Sequence, residues 1–194
     1  MMRCVFALVV VLAAGLSAAA EDKAQEAAPA KPADPVRMQV RGIVVDPASQ
    51  SPVIILATVD KTLILPISVG GNEAAAIWRY LNNVESPRPL THDLLSTVIE
   101  QLGGKVDKIT VTEMKEGTFY ARIDLKVGPP ENQRTVEIDA RPSDSIALAL
   151  KTGTQIFVAQ KVIDAAGRAL SEDDKPKPEL RKEPDIRNDV HDAI

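Results

Sequence analysis

The chain has 194 residues, long enough for one domain with a substantial core, and it is slightly acidic, with 27 acidic against 23 basic side chains. This balance, without a basic cluster, argues against a dedicated electrostatic nucleic-acid binder, and aromatic residues, at 3% of the chain, are too few for a large base-stacking platform. The single cysteine excludes a disulfide within the chain and a cysteine-ligated zinc site.

The first 20 residues have the pattern of a secretory signal peptide. Met1–Arg3 is a short positive region, Cys4–Leu16 is an uncharged apolar run, and Ser17–Ala20 supplies small residues for cleavage. The apolar run is too short for a transmembrane anchor, so we predict an exported protein, periplasmic or secreted, whose mature chain has no membrane span. Cys4 lies well before the cleavage site, which argues against a lipoprotein.

Two polar segments flank the predicted domain. Residues 21–35 are rich in alanine, proline and charge, and residues 171–194 form a charged tail broken by proline. Neither segment has enough apolar surface to offset the entropy of ordering, so we predict a flexible spacer and a disordered tail. The domain therefore covers about residues 36–170.

Within the domain, hydrophobic periodicity predicts strands in runs, with helices between the runs. The predicted strands are 36–46, 53–59, 63–69, 106–114, 118–127, 134–138 and 155–159. The predicted helices are 73–81, a segment capped by Thr91 and ended by Gly103, 142–150 and 161–166. Because strands and helices do not alternate strictly, we predict a single α+β domain, with a mixed sheet, about three main helices and a short C-terminal helix.

The candidate site residues lie in two short segments, Arg88–Leu94 and Ile138–Ser145. Each segment has an Arg-Pro pair followed by an acid at the start of a predicted helix. Each therefore places a guanidinium, a carboxylate and free backbone N–H groups close together. One such start is ordinary helix capping, whereas two that converge could form an anion or metal site.

These two segments, together with Glu73–Ile77 and Gly117–Ile123, resemble the bifunctional nuclease domain family. The resemblance covers about residues 38–165, and Ser145 stands where the family usually has alanine. It implies an α+β fold, self-association and the DNase and RNase activity of some members. Nucleic acid is then the expected partner, and we expect a homo-oligomer, with a dimer favoured.

A nuclease must activate a water molecule and neutralise charge that builds up on a phosphoryl group, and divalent metals held by carboxylates do both. The catalytic candidates are His92, Asp93, Asp139 and Asp144. The candidates for binding phosphate are Arg88 and Arg141. The candidate ligands for Mg²⁺ or Mn²⁺ are Asp139 and Asp144, followed by Asp93 and Glu73.

Each of these residues also has a purely structural interpretation. The acids at helix starts stabilise the helix dipole, the arginines can pair with them, and Ser143 is most simply a helix cap. A second function therefore competes with the nuclease, namely a non-catalytic exported module. Such a module would bind a small anionic ligand or a partner protein in the cleft between the two Arg-Pro turns.

Overall fold

The computed structural model describes residues 34–171 and Asp174. The predicted signal peptide, most of the spacer and most of the tail lie outside the described residues. Among the helices that are described, none combines the length and the apolar character needed to cross a bilayer.

The described part of the chain forms one mixed sheet of eight strands. The strands are β1 (Val36–Val45), β2 (Pro52–Thr58), β3 (Leu63–Ser68), β4 (Gly104–Lys115), β5 (Thr118–Val127), β6 (Arg134–Ala140), β7 (Ile156–Val158) and β8 (Arg168–Ala169). Their order across the sheet is β6-β5-β4-β7-β1-β2-β3-β8. Neighbouring strands are antiparallel except for β4 and β7, which are parallel.

Four helices accompany the sheet, and the predicted α+β class is confirmed. The helices are α1 (Gly71–Leu81), α2 (Thr91–Gln101), α3 (Pro142–Thr152) and α4 (Gln160–Ala166). A single 3-10 turn, Pro130–Asn132, joins β5 to β6. The sequence did not predict the two-residue strand β8, because so short a strand has no periodicity of its own.

The main core lies between the sheet and the helices, and α3 is its most buried helix. Ile146, Ala147, Leu148 and Ala149 of α3 are all almost completely buried in this core. A helix held along its length by close packing has little freedom to shift, so the start of α3 is fixed relative to the sheet.

The turn between β4 and β5 is a tight hairpin turn at the predicted position. Glu116 and Gly117 both have positive φ angles, 50° and 77°. This is the geometry of a type I′ turn, which glycine adopts at little cost and which matches the twist of the paired strands. The turn brings Thr118 and Phe119 close to the start of α3.

Helix α2 packs with its polar side inward, the reverse of the usual arrangement of an amphipathic helix. Its buried residues are His92 and Ser96. Of its apolar side chains, Ile99 packs against the main core, whereas Leu94 and the C-cap residue Leu102 are 58% and 76% exposed. This rotation of the helix carries His92 into the interior and leaves an apolar stripe on the surface.

The start of α2 differs from the prediction in one respect. Thr91 was predicted as the N-cap, but the extended N-cap residue is Leu90 and Thr91 is already helical. The N–H of Leu90 donates to the carboxylate of Asp93, at 2.9 Å. The acid in the first turn therefore accepts from the N–H of the N-cap residue, a different donor from the N–H groups that an N-cap threonine hydroxyl would satisfy.

Candidate functional site

The starts of three helices meet at one surface hollow of about 560 Å³, which we call the central hollow. Its polar lining residues are Asn72, Glu73, Arg79, Thr91, His92, Arg141 and Asp144. Glu73 lies in the first turn of α1, His92 in that of α2 and Asp144 in that of α3. Residues of both Arg-Pro segments therefore line one hollow, the arrangement that an anion or metal site would require. Helix N-termini that lie beside a hollow favour negative charge there.

His92 and Asp144 form the contact that joins the two segments. Nε2 of His92 lies 3.3 Å from Oδ1 of Asp144, and the histidine side chain is only 10% exposed. The ring of Tyr80 meets the imidazole edge-on, with the ring centroids 6.4 Å apart. The imidazole is therefore held on one side by a carboxylate and on another by an aromatic ring.

Arg141 bridges the two carboxylates of the central hollow. Its Nε and Nη2 donate to the two carboxylate oxygens of Asp144, at 2.7 and 3.1 Å. Its Nη1 lies 3.0 Å from Oε1 of Glu73. Each Nη group has a second N–H that these contacts do not use, and the side chain is 65% exposed. The guanidinium can therefore donate to an incoming anion while it holds both acids.

The ionisation of Asp144 reflects two opposing effects. Burial disfavours the charged carboxylate and would raise its pKa. The hydrogen bonds from Arg141 and His92, and the charges of these partners, act in the opposite direction and prevail, so the pKa of Asp144 lies below its ordinary value. Asp144 is therefore an anion at neutral pH that accepts hydrogen bonds from its two partners.

Glu73 reaches the central hollow because Gly70 leaves space for it. A Cβ at position 70 would collide with Oε2 of Glu73. Gly70 is the N-cap residue of α1 and has no side chain to compete with that carboxylate. The glycine therefore lets Glu73 turn back towards Arg141.

Asp93 does not share this site, and its predicted place beside His92 in the site is wrong. Successive helical residues are rotated by about 100° around the helix axis, so His92 and Asp93 point in different directions. Asp93 lines a separate hollow, where Nζ of Lys151 lies 2.7 Å and the hydroxyl of Tyr80 lies 3.3 Å from its Oδ1.

The surroundings of Asp93 change two pKa values. Burial would raise the pKa of Asp93, but hydrogen bonds from Lys151 and from the Leu90 N–H, with the lysine charge, lower it below its ordinary value. Burial and the negative charge of Asp93 raise the pKa of Tyr80 to about 12. Asp93 is thus an ionised capping and pairing residue.

Asp139 also lies away from the central hollow. Neighbouring side chains on a strand point to opposite faces of the sheet. Ala140 packs against the main core, which includes α3, so Asp139 points to the other face. There it is exposed and stands opposite Arg122 of β5. The predicted convergence of Asp139 with Asp144 is therefore wrong.

Arg88 is the last candidate that the structure leaves outside the central hollow. It is exposed in the loop before α2, and among the described residues it has no ion pair or hydrogen bond. The neighbouring Pro89 and Leu90 line the hollow instead. The proline fixes the course of this loop, but it does not direct the preceding arginine inward.

The predicted metal-binding set does not assemble. Asp93 and Asp139 point away from Asp144, and both carboxylates left in the central hollow, those of Asp144 and Glu73, contact Arg141. In the described part of the chain, no three His, Cys, Asp or Glu side chains are grouped so that they could hold a metal ion. The predicted carboxylate cluster therefore does not fit a metal held by the protein alone.

Sequence reasoning missed three residues that shape these hollows. Arg79 lies on the same helical face as Asn72 and Ala76, and all three line the central hollow. That face is opposite to the buried positions Ala74 and Ile77 of α1, so helical periodicity could have found it. Lys151 and Tyr80 lie 58 and 13 positions from Asp93 in the sequence, and no local pattern links them to it.

Comparison with known proteins agrees with the resemblance of the motifs. A family model described as the bifunctional nuclease domain matches residues 54–171. An uncharacterized protein of Mycobacterium tuberculosis is 38% identical over 136 residues, which are 70% of this chain and 79% of the relative. Bifunctional nuclease 1 of Oryza sativa subsp. indica is 28% identical over 118 residues, which are 60% of this chain but 35% of the rice protein. Because the family model covers more than half of the sequence, this chain belongs to the bifunctional nuclease domain family.

Proposed function

We propose that this protein is a nuclease that hydrolyses phosphodiester bonds of DNA or RNA in the central hollow. The proposal is supported by the family membership and by the rice relative named Bifunctional nuclease 1. One observation carries it: the nearly buried His92 contacts the carboxylate of Asp144, which also accepts hydrogen bonds from Arg141. This arrangement combines a group that exchanges protons with a group that binds phosphate.

In this mechanism His92 is the general base. When Nε2 carries its proton, it donates to Asp144, and Nδ1 then has the lone pair that accepts a proton from the attacking water. The carboxylate of Asp144 fixes the ring orientation and stabilises the imidazolium that forms. Asp144 acts through His92, so we regard it as a positioning residue.

Arg141 binds the phosphoryl group in this mechanism. Its unused N–H groups donate to non-bridging phosphate oxygens, and its charge offsets the negative charge that builds up during hydrolysis. The N-termini of α1, α2 and α3 act in the same direction. Glu73 contacts Nη1 of Arg141, the nitrogen that Asp144 does not contact, and so restricts rotation of the guanidinium.

Assistance by Mg²⁺ or Mn²⁺ remains a proposal. Magnesium is commonly bound by one or two carboxylates together with phosphate oxygens of the substrate. Asp144 and Glu73 are the two carboxylates of the central hollow, so a metal would enter with the nucleic acid rather than before it. When bound, the ion would supply additional neutralisation of phosphate charge.

The test compares the two histidines of the chain. His92→Gln keeps a polar side chain of similar size, and His191→Gln is the matched control. We expect His92→Gln to lower the rate of cleavage of single- or double-stranded DNA and RNA by about 10²–10⁴-fold, as for loss of a general base. Circular dichroism checks that the variant is folded. Full activity of folded His92→Gln, or no cleavage by the wild type, would refute the proposal.

One observation favours the competing function, a non-catalytic module that binds an anion or a partner protein. Both acids of the central hollow already neutralise Arg141, as in an ion-pair network that only maintains structure. Binding of oligonucleotides or organic anions without any turnover, and loss of that binding in Arg141→Ala, would favour this function over the nuclease.

Export and self-association are also part of the proposal. The signal-peptide pattern of residues 1–20 supports export.

The outward stripe of α2 supports a symmetric dimer, because Leu94 and Leu102 each lie four residues from Val98 and all three are exposed. A two-fold axis at Val98 would place Leu94 against Leu102 of a second copy. The stripe has no charged residue, so two copies can meet without repulsion.

A further inference from the structure

A second hollow, which we call the flanking hollow, adjoins the central hollow and has a volume of about 390 Å³. Glu73 and Arg141 line both hollows and form the boundary between them. The other walls come from the end of β3, the β4–β5 turn and the start of α3. The residues that matter here are Pro66, Val69, Phe119, Pro142 and Ser143.

Ser143 is the unexplained polar group of the flanking hollow. Its predicted role as a helix cap is wrong, because Arg141 is the N-cap residue and Pro142 occupies the first helical position. Ser143 is 6% exposed, yet it lines the hollow. Within the described residues its hydroxyl has no hydrogen-bond partner. The hydroxyl is open to the hollow, unlike the fully enclosed hydroxyl of Ser145, and can donate to a molecule that binds there.

The backbone beside Ser143 also has unused donors. The first N–H of α3 that reaches a backbone acceptor is that of Ser145, which donates to the carbonyl of Arg141 at 3.1 Å. Pro142 has no N–H, so the N–H groups of Ser143 and Asp144 are the free donors of the helix start. Together with the serine hydroxyl and the guanidinium of Arg141, they form a set of donors suited to a phosphate.

Much of the remaining wall of the flanking hollow is apolar, and Ser68 and Thr118 are its other polar residues. Its apolar lining residues include Phe119, Pro66 and Val69. Apolar and aromatic walls next to phosphate donors suit a nucleoside, whose base stacks on aromatic side chains. A bare inorganic anion would leave these walls in contact with water.

We propose that the flanking hollow binds one nucleotide unit, with its phosphate on Ser143 and Arg141 and its nucleoside against Phe119. This inference rests on the proposed nuclease function, since it places the nucleotide next to the bond cleaved in the central hollow. It also assigns a binding role to Ser143, which has no base beside it and is therefore not a nucleophile.

The test measures binding of AMP, adenosine and inorganic phosphate to the full chain by isothermal titration calorimetry. The wild type should bind AMP more tightly than either fragment. Ser143→Ala should weaken AMP binding about 10–150-fold, as expected for loss of one hydrogen bond to a charged group. Ser145→Ala is the matched control, because Ser145 lies on the same helix, is 0% exposed and does not line the hollow. It should leave AMP binding unchanged.

A second variant keeps the inference testable if Ser143→Ala folds poorly. Phe119→Leu should weaken binding of AMP but not of inorganic phosphate, because only the nucleoside contacts that wall. The inference would be overturned if AMP failed to bind, if Ser143→Ala and Ser145→Ala had equal effects, or if Phe119→Leu weakened both ligands equally.

Measurements of AMP binding and of nucleic-acid cleavage together distinguish failure of the flanking site from failure of the nuclease proposal. AMP binding that depends on Ser143, in a protein that cleaves no nucleic acid, would support the flanking site and refute the nuclease. Cleavage that AMP does not inhibit, in a protein that does not bind AMP, would refute the flanking site and retain the nuclease.

Discussion

His92 and Asp144 are 52 positions apart in the sequence, and Nε2 of the histidine lies 3.3 Å from Oδ1 of the aspartate. Their contact ties the start of α2 to the start of α3, and Arg141 extends it to Glu73 at the start of α1. The site is therefore built from the first turns of three helices, so its geometry depends on how these helices pack together.

The two aspartates of the second Arg-Pro segment should behave differently. Asp144→Asn removes the charge that orients and stabilises His92, so we expect the cleavage rate to fall by about 10²–10⁴-fold. Asp139→Asn changes an exposed residue on the other face of the sheet and should leave the rate unchanged. Steady-state kinetics of the two variants on one substrate provide the comparison. Equal losses would contradict the geometry described above.

Acid should destabilise the fold partly through Asp93. The pKa of Asp93 is lowered in the folded protein from its ordinary value of 3.8. Its stabilising contribution is therefore complete above that value and is lost as the pH falls towards the folded pKa. Asp93→Ala, which also removes the cap on Leu90, should cost about 0.5–2 kcal/mol at neutral pH.

Urea denaturation at several pH values measures both the cost of Asp93→Ala and the loss of the Asp93 contribution in acid. The difference in unfolding free energy between wild type and Asp93→Ala should shrink below the ordinary aspartate pKa. A difference that stays constant as the pH falls would show that the charge of Asp93 does not contribute. Thr91→Ala, at the position first predicted to cap α2, should have little effect at any pH.

Ser145→Ala should stabilise the protein. Ser145 is completely buried, and its hydroxyl has no hydrogen-bond partner in the described structure. Alanine removes that unpaired group and is the better helix former, so we expect a gain of about 1 kcal/mol. Thermal unfolding measures the change. Ser96→Ala is the control: Ser96 is also buried but donates to Glu100 at 3.1 Å, so its loss should destabilise.

The apolar stripe of α2 should mediate self-association. Val98→Asp places a charge at the centre of the stripe and should convert a dimer into a monomer, because burying an unpaired carboxylate is costly. Val59→Asp is the control, since Val59 is exposed and apolar but lies elsewhere. Analytical ultracentrifugation gives the masses. A wild type that stays monomeric at high concentration, or a dimeric Val98→Asp, would contradict the prediction.

Metal ions should act only together with nucleic acid. The described residues offer no cluster of three ligands, so Mg²⁺ or Mn²⁺ alone should not change the melting temperature. Chelation by EDTA should nevertheless abolish cleavage if the ion enters with substrate phosphate. Differential scanning fluorimetry and a cleavage assay measure the two effects. A clear thermal shift caused by Mn²⁺ alone would indicate a metal site of a different composition.

Much of the fold followed from local sequence patterns. Alternating and apolar runs located the strands, and the Glu116-Gly117 pair located a turn in which both residues have positive φ. These predictions succeeded because periodicity and turn chemistry depend on neighbours in the chain. Each Arg-Pro pattern likewise marked the start of a helix, but that the two starts meet at one hollow depends on tertiary packing.

The sequence by itself determined the class of the fold and the short list of residues from which the site is built. Only the tertiary structure decided which of them face the central hollow: His92, Arg141 and Asp144 do, and Asp93 and Asp139 do not. A side chain's direction is set by the rotation of its helix or the face of its strand. Both depend on packing between segments that are far apart in the chain, as the inward turn of the polar side of α2 illustrates.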